Sequence, residues 1–146
     1  MSNLRNNPKQ SAFSLIELMI VVAIIAIVAT MAMVSYLRNI ASAQVSEAVT
    51  LLSGARSAID DAITQEGEFP TDAEFDNLGV RQSGKYVDDI EVDDTISTLT
   101  VTFNNDSSAS ISGLNLVYQR NPVSGEWNCK ITPSTIPDWA IPKVCD

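Results

Sequence analysis

From Phe13 to Val34 the chain reads FSLIELMIVVAIIAIVATMAMV, 22 residues whose only polar members are Ser14, Glu17 and Thr30. At about 1.5 Å of rise per residue, a helix over this run spans roughly 33 Å, enough to cross a bilayer core of about 30 Å. Residues 1–12 before it are polar and carry Arg5 and Lys9 with no acid. A secretory signal also pairs a basic start with an apolar stretch, but its small-residue cleavage site follows that stretch. Here the small pair Ser11-Ala12 stands in front of the run, and Ser35 to Ala43 offers no comparable break behind it. If the leader is removed, the membrane segment stays with the product.

Glu17 is the most informative residue in the run. An acid inside a membrane span costs a few kcal/mol and is by default a functional residue. The plainer reading, a carboxylate one turn from the start that reaches the headgroups, sits beside it. The company Glu17 keeps weighs against that reading: a small residue, then Phe13, then a carboxylate four positions on. Composition narrows the chemistry further. The chain has no histidine and two cysteines, so it offers no Ser-His-Asp or Cys-His relay, no histidine-ligated zinc and no four-thiolate site. With 9 basic against 18 acidic side chains, its net charge of −9 is the wrong sign for coating phosphates.

The run Ala12-Phe13-Ser14-Leu15-Ile16-Glu17-Leu18-Met19-Ile20-Val21-Val22-Ala23-Ile24-Ile25 resembles the processing signal of type IV prepilins. The following Ala43-Gln44-Val45-Ser46-Glu47-Ala48 is similar to the helix of type IVa major pilins. The strong likeness covers residues 9–66; beyond it, only the layout and the terminal Cys pair agree. It implies a leader, residues 1–12, cut between Ala12 and Phe13 by a prepilin peptidase, and methylation of the new Phe13 amine. Glu17 would then meet the Phe13 amine of a neighbouring subunit. A buried carboxylate facing a buried ammonium is tolerated far better than either alone. Three positions depart from the family pattern: Ala12 replaces the usual Gly before the cut, and Ala26 and Val34 replace a Gly and a Pro. Gly and Pro weaken a helix by about 1 and 3 kcal/mol relative to Ala, so a continuous helix across 26–34 is expected in the isolated subunit, and at most a short loosened stretch in a filament.

Helical periodicity continues past the span. Val45, Ala48, Leu52, Ala55, Ile59, Ala62 and Ile63 share one face, and no proline interrupts from Phe13 to Glu66. Gly67-Glu68-Phe69-Pro70 stops the run. Gly54 reads as a point of close packing against a sheet, with a hinge as the alternative. Residues 67–84 read as an irregular connection, and four strands are expected at 86–92, 96–103, 111–120 and 126–131. Leu99, Val101 and Phe103 alternate with Thr98, Thr100 and Thr102, the pattern of a sheet with one wet face. The expected fold is α+β: one long N-terminal helix, apolar in its first half and amphipathic in its second, packed on an antiparallel sheet of about four strands. The expected organisation is a leader (1–12), a transmembrane and assembly half-helix (13–40) and a globular domain (41–146).

Cys129 and Cys145 read as a disulfide in an exported chain, with two free thiols or a metal pair as alternatives. Closing a loop of this size is worth about 3 kcal/mol in the chain-entropy model. Its position matches the disulfide-bounded terminal loop of type IV pilins. Trp127 reads as core packing, whereas Trp139 is balanced between core and contact surface. Twelve acids between Asp60 and Asp94 face only Arg81 and Lys85, which reads as a solvated face, with a calcium site near 88–94 as the sharper alternative. Loss of the leader takes the net charge from −9 to −11.

The resemblance thus implies a structural subunit of a type IV pilus, with no enzyme activity, cofactor or metal. It would lie in the inner membrane as a single pass, leader in the cytoplasm and globular domain in the periplasm, then polymerise with identical subunits into an extracellular filament. Its partners would be the prepilin peptidase, the inner-membrane assembly machinery and an unidentified surface receptor. Adhesion, twitching motility and DNA uptake are the roles of such filaments. The alternative is a minor pilin or a type II secretion pseudopilin, against which the terminal Cys pair argues.

Overall fold

The structure, a computed structural model, describes residues 13–129, 134–141 and 143–145. Helix α1 runs unbroken over Leu15–Glu66 and the short helix α2 covers Asp72–Asn77. Four strands follow: β1 (Val87–Asp93), β2 (Thr98–Phe103), β3 (Asn115–Arg120) and β4 (Trp127–Cys129). They form one sheet in the order β1-β2-β3-β4, each neighbour antiparallel. Two 3-10 turns, Asp138–Ala140 and Lys143–Cys145, end the described chain. This is the expected α+β architecture.

The helix is long because nothing in it removes a backbone donor. Ala26 and Val34 both keep their N–H groups in the ladder, and α1 is helical across both. The hydroxyl of Thr30 donates to the Ile27 carbonyl at 2.7 Å, the local bond a threonine makes inside a helix. Gly67 ends α1 at φ +84°, its N–H donating to the Ile63 carbonyl at 2.8 Å. That left-handed conformation at the helix end is the one glycine reaches without a steric penalty.

The chain divides into two units after Ser35. In the first, every described residue is exposed. In the second, the amphipathic stretch of α1 contributes Ala41, Val45, Ala48, Leu52, Ala55 and Ile59 to a core shared with the sheet's Leu99, Val101, Phe103 and Leu116. Leu52, Ile59, Leu99 and Val101 are all fully buried. Burying a large apolar side chain of this kind contributes about 1.5–3 kcal/mol, so these residues hold the helix face to the sheet. Phe75 of α2, Ile111, Ile136 and Ala140 close the core's margins.

Several expectations are corrected. Gly54 makes no close contact: it is exposed, and a Cβ there would meet nothing within 4 Å. Two residues are about 200° of helical turn, so Gly54 faces away from buried Leu52. Residues 71–78 are not irregular. Thr71 caps α2, accepting from the Glu74 N–H, while the Glu74 carboxylate accepts from the Thr71 N–H at 2.8 Å. This reciprocal capping box starts a helix too short for periodicity to reveal. The third strand begins only at Asn115, because residues 111–114 turn through Gly113 at φ +70°. Thr98, expected on the wet face, is buried at 2% exposure. It lies on a central strand between Asp93 of β1 and Gln119 of β3, so paired backbone flanks it on both sides.

Candidate assembly segment and disulfide-bounded loop

The first unit carries two of the expected assembly residues. Phe13 is 77% exposed, and Glu17 lies in the first turn of α1, where Leu18 N–H donates to the Ser14 carbonyl at 3.2 Å. A carboxylate in the first turn complements the exposed N–H groups and the positive end of the helix dipole. Ala12, the residue expected before the cut, lies outside the described residues, as does the leader. From Phe13 to Asn39 no residue is buried, although Leu15, Ile16, Ile25, Ile27 and Met31 are among the largest apolar side chains in the chain. A continuous apolar surface of this length marks a surface built for lipid or for other protein chains.

The second unit carries the loop. Cys129 and Cys145 are joined in a disulfide with their Cα atoms 5.2 Å apart. Cys129 stands opposite Tyr118 in the β3–β4 register, and the Tyr118 hydroxyl lies 2.8 Å from Cys145 Sγ. Burial pushes the Tyr118 phenol above its usual pKa, opposed in part by the Arg56 guanidinium 5.2 Å from its ring centroid. The bridge therefore lands on the sheet, and side chains extend its hold. The N–H groups of Asn115 and Val117, beyond the short β4, donate to the hydroxyls of Thr135 and Ser134, both at 2.8 Å. Two hydroxyls thus occupy the place of the missing strand and satisfy the free edge of β3.

A second anchor was not apparent as such in the sequence. Asp60, on α1, accepts from Arg120 Nε at 2.8 Å and from Trp127 Nε1 at 3.1 Å. One carboxylate so ties the helix to β3 and β4. Trp127 is half-buried against the core, its ring centroid 6.1 Å from that of Phe69. Trp139 is 41% exposed, and the Arg38 guanidinium stands 5.6 Å from its centroid. Two further polar residues of α1 reach across the domain. Gln44, buried at 7% exposure, accepts from Ser108 N–H at 2.8 Å, and Glu47 accepts from Lys85 N–H at 2.7 Å. Glu47 Oε1 comes so close to Gly84 that a Cβ there would collide with it.

The acidic band resolves into separate local tasks. Asp72 accepts from Val92 N–H, Asp89 from its neighbour Ile90 N–H, and Asp93 from the Thr95 N–H and hydroxyl. The Thr95 hydroxyl holds the Asp93 carboxyl below its usual pKa, with burial opposing it and the backbone N–H groups of Thr95 and Ile96 assisting. Among the described residues no group of His, Cys, Asp or Glu is arranged to hold a metal ion. Asp72 and Asp89 occupy outward N–H groups of the edge strand β1 instead, which blocks pairing with another chain.

The two sites together are those of a subunit: an apolar helical stretch exposed at every described residue from Phe13 to Asn39, and an α+β domain with a stapled end. Residues 41–146 match the pilin family of bacterial filaments, and residues 7–33 match the prokaryotic N-terminal methylation motif. The chain is 39% identical over 129 residues to a fimbrial protein of Neisseria meningitidis serogroup A, covering 84% of this chain and 74% of the relative. It is 37% identical over 127 residues to the type IV major pilin protein PilE of Neisseria gonorrhoeae, covering 84% and 75%. A fimbrial protein of Pseudomonas aeruginosa is 36% identical over 135 residues, covering 84% and 86%. The chain belongs to the pilin family and is a structural subunit of a pilus filament, not an enzyme.

Proposed function

We propose that this subunit is made as a prepilin, cut between Ala12 and Phe13 by a prepilin peptidase, and methylated on the Phe13 amine. Residues 13–40 then serve first as a single membrane pass and afterwards as the assembly half-helix, and residues 41–146 form the globular domain. The observation that carries this reading is the exposure of every residue from Phe13 to Asn39 in a helix whose first half holds one acid. In lipid that surface is satisfied at once; in a filament it must be satisfied by the same helix of other subunits. Within such a bundle Glu17 would be the one strongly polar feature, and the Phe13 ammonium of a neighbour is the partner that offsets its desolvation. The pair sets the register that apolar contacts alone leave open.

Orientation follows from the flanks. Arg5 and Lys9 precede the span and Arg38 alone follows it closely, so the leader faces the cytoplasm and the domain faces the periplasm. The inner-membrane assembly machinery would then draw the subunit into an extracellular pilus. Relatives named as major pilins favour the principal subunit over a minor pilin or a pseudopilin. The filament would act in adhesion, twitching motility or DNA uptake, with the stapled loop as a surface for an unidentified receptor. Intact mass of sheared filaments tests the core of this reading. The expected subunit lacks residues 1–12 and carries one added methyl group; filaments that retain Met1 would refute it.

A further inference from the structure

The stretch of α1 just past the apolar run holds chemistry that filament formation does not call for. Between Glu17 and Glu47 the chain has a single charged residue, Arg38. Arg38 follows Val34 by four residues, about 6 Å of helical rise. Tyr36 beside it is 65% exposed. Trp139, in the disulfide-bounded loop, is 41% exposed and stacks with Arg38 at 5.6 Å. The loop does not leave this indole outside for want of packing. Ile136 and Ala140, on either side of it, are buried at 3% and 0% exposure, so the backbone is held to the core while the ring is turned outward.

We infer that Tyr36, Arg38 and Trp139 form an interfacial anchor that rests the terminal loop on lipid headgroups while the subunit waits in the membrane. The inference rests on the reading of 13–34 as a membrane span. Indole and phenol rings settle at headgroup depth, where the ring body is apolar and the polar edge is wet. A guanidinium there lays its stem along apolar surface and reaches a phosphate. Along the helix Arg38 is the only charge near the end of the span: the next acid, Glu47, lies nine residues or about 13 Å beyond it, and Asp138 adjoins Trp139 in the loop. The anchor would restrict how the domain tilts before assembly, and its release would accompany extraction from the membrane.

The test uses the full chain in vesicles of phosphatidylethanolamine with a minor share of phosphatidylglycerol. Nitroxide labels are placed either at the top of the acyl chain or near its end. Trp127→Phe leaves Trp139 as the reporting indole, and the difference between wild type and Trp139→Phe isolates the same signal if Trp127→Phe unfolds the domain. The expected result is blue-shifted Trp139 emission, quenched more by the upper label than by the lower and protected from aqueous iodide. Arg38→Gln should weaken that quenching. Co-flotation of protein and vesicles reports the span independently. A chain that floats while iodide freely quenches Trp139 overturns the anchor and leaves the span intact. A chain that does not float overturns both. Protection that is absent in vesicles and arises only in filaments assigns Trp139 to a contact between subunits, which also overturns the proposal.

Discussion

Asp60→Ala tests whether one carboxylate couples the helix to the far edge of the sheet. The substitution removes an ion pair at 2.8 Å with Arg120 and a hydrogen bond at 3.1 Å with the Trp127 indole. The Asp60 side chain is 43% exposed, so water screens part of the pair, but the Arg120 side chain is only 18% exposed. Hydrogen bonds to charged groups contribute about 1.5–3 kcal/mol, and exposed ion pairs about 0.2–1 kcal/mol. An intermediate site gives about 2 kcal/mol for the loss, most of it the cost of leaving Arg120 and the indole N–H unpaired. For a domain of roughly 100 residues, 1 kcal/mol is worth about 4 °C in melting temperature, so the expected drop is about 8 °C. Near-ultraviolet circular dichroism follows the melt, since Trp127 reports the site itself. Asp60→Asn should lose less, because its amide oxygen still accepts from the indole. Asp60→Ala and Arg120→Ala should be non-additive by about 1 kcal/mol in a double-mutant cycle. A drop under about 2 °C, or strict additivity, would show that the bridge ties nothing together.

Glu17→Ala should leave the subunit in the membrane and the domain's melting point unchanged while abolishing assembly; electron microscopy of sheared material decides, and normal filaments from the mutant alone would exclude the register role. Cys129→Ser should cost about 3 kcal/mol by the loop-entropy model, read as a melting drop on the order of 10 °C that reductant reproduces in the wild type. Gly54→Ala should stabilise the domain by up to about 1 kcal/mol, since the site is open and helical; a lower melting point would mean that the site is filled in a way the exposed helix face does not show. The Glu74 carboxyl is held below its usual pKa, first by the Thr71 backbone N–H and then by the Thr71 hydroxyl. A depressed folded pKa means that the capping box is intact above the usual glutamate range and is lost as pH falls through the lowered value. Protection of the Thr71 amide, its exchange rate compared with the intrinsic rate at the same pH, should therefore fall on acidification, and Glu74→Gln should flatten that pH dependence.

The parts of the fold that were legible are those with a repeating local cause. An unbroken proline-free run, an apolar face every three or four residues and a glycine stop gave α1 to its last residue, Glu66. Alternation of Leu99, Val101 and Phe103 gave the buried face of β2. The cysteines gave the staple once export was inferred. What escaped has causes that are distant in sequence. Gln44 and Glu47 read as ordinary polar positions, yet their partners are Ser108 and Lys85, 64 and 38 residues away. Asp60 was hidden because it opens a dense acidic stretch, where one anchoring carboxylate looks like its solvated neighbours. Gly54 misled for the opposite reason: a glycine in a helix invites a packing explanation, but here the wheel angle turns it to water. Only α2 had a readable local signal, the Thr71-Asp72-Ala73-Glu74 box ahead of Phe75, and six residues gave periodicity no chance to support it.

The same contrast explains why the N-terminal half of the helix is plain where the rest is specific. In the domain, polar residues of α1 have distant partners: Gln44 meets Ser108, Glu47 meets Lys85, and Asp60 meets Arg120 and Trp127. From Leu18 to Leu37 the helix surface offers hydroxyls and apolar side chains, with no charge at all. Within lipid that plainness is required, because a freed backbone group there finds no water and costs several kcal/mol. Ala26 and Val34 suit this environment, since both leave the ladder closed through 26–34. Thr30 carries the one hydroxyl in that stretch, and it is already bonded to the Ile27 carbonyl. A helix of this kind is specified by its ends. If Glu17 pairs as proposed, it sets the position along the axis at one end, and the buried Ala41 begins the domain's core near the other. Between them, any subunit presenting the same surface is an acceptable neighbour, which is what a polymer of identical chains needs.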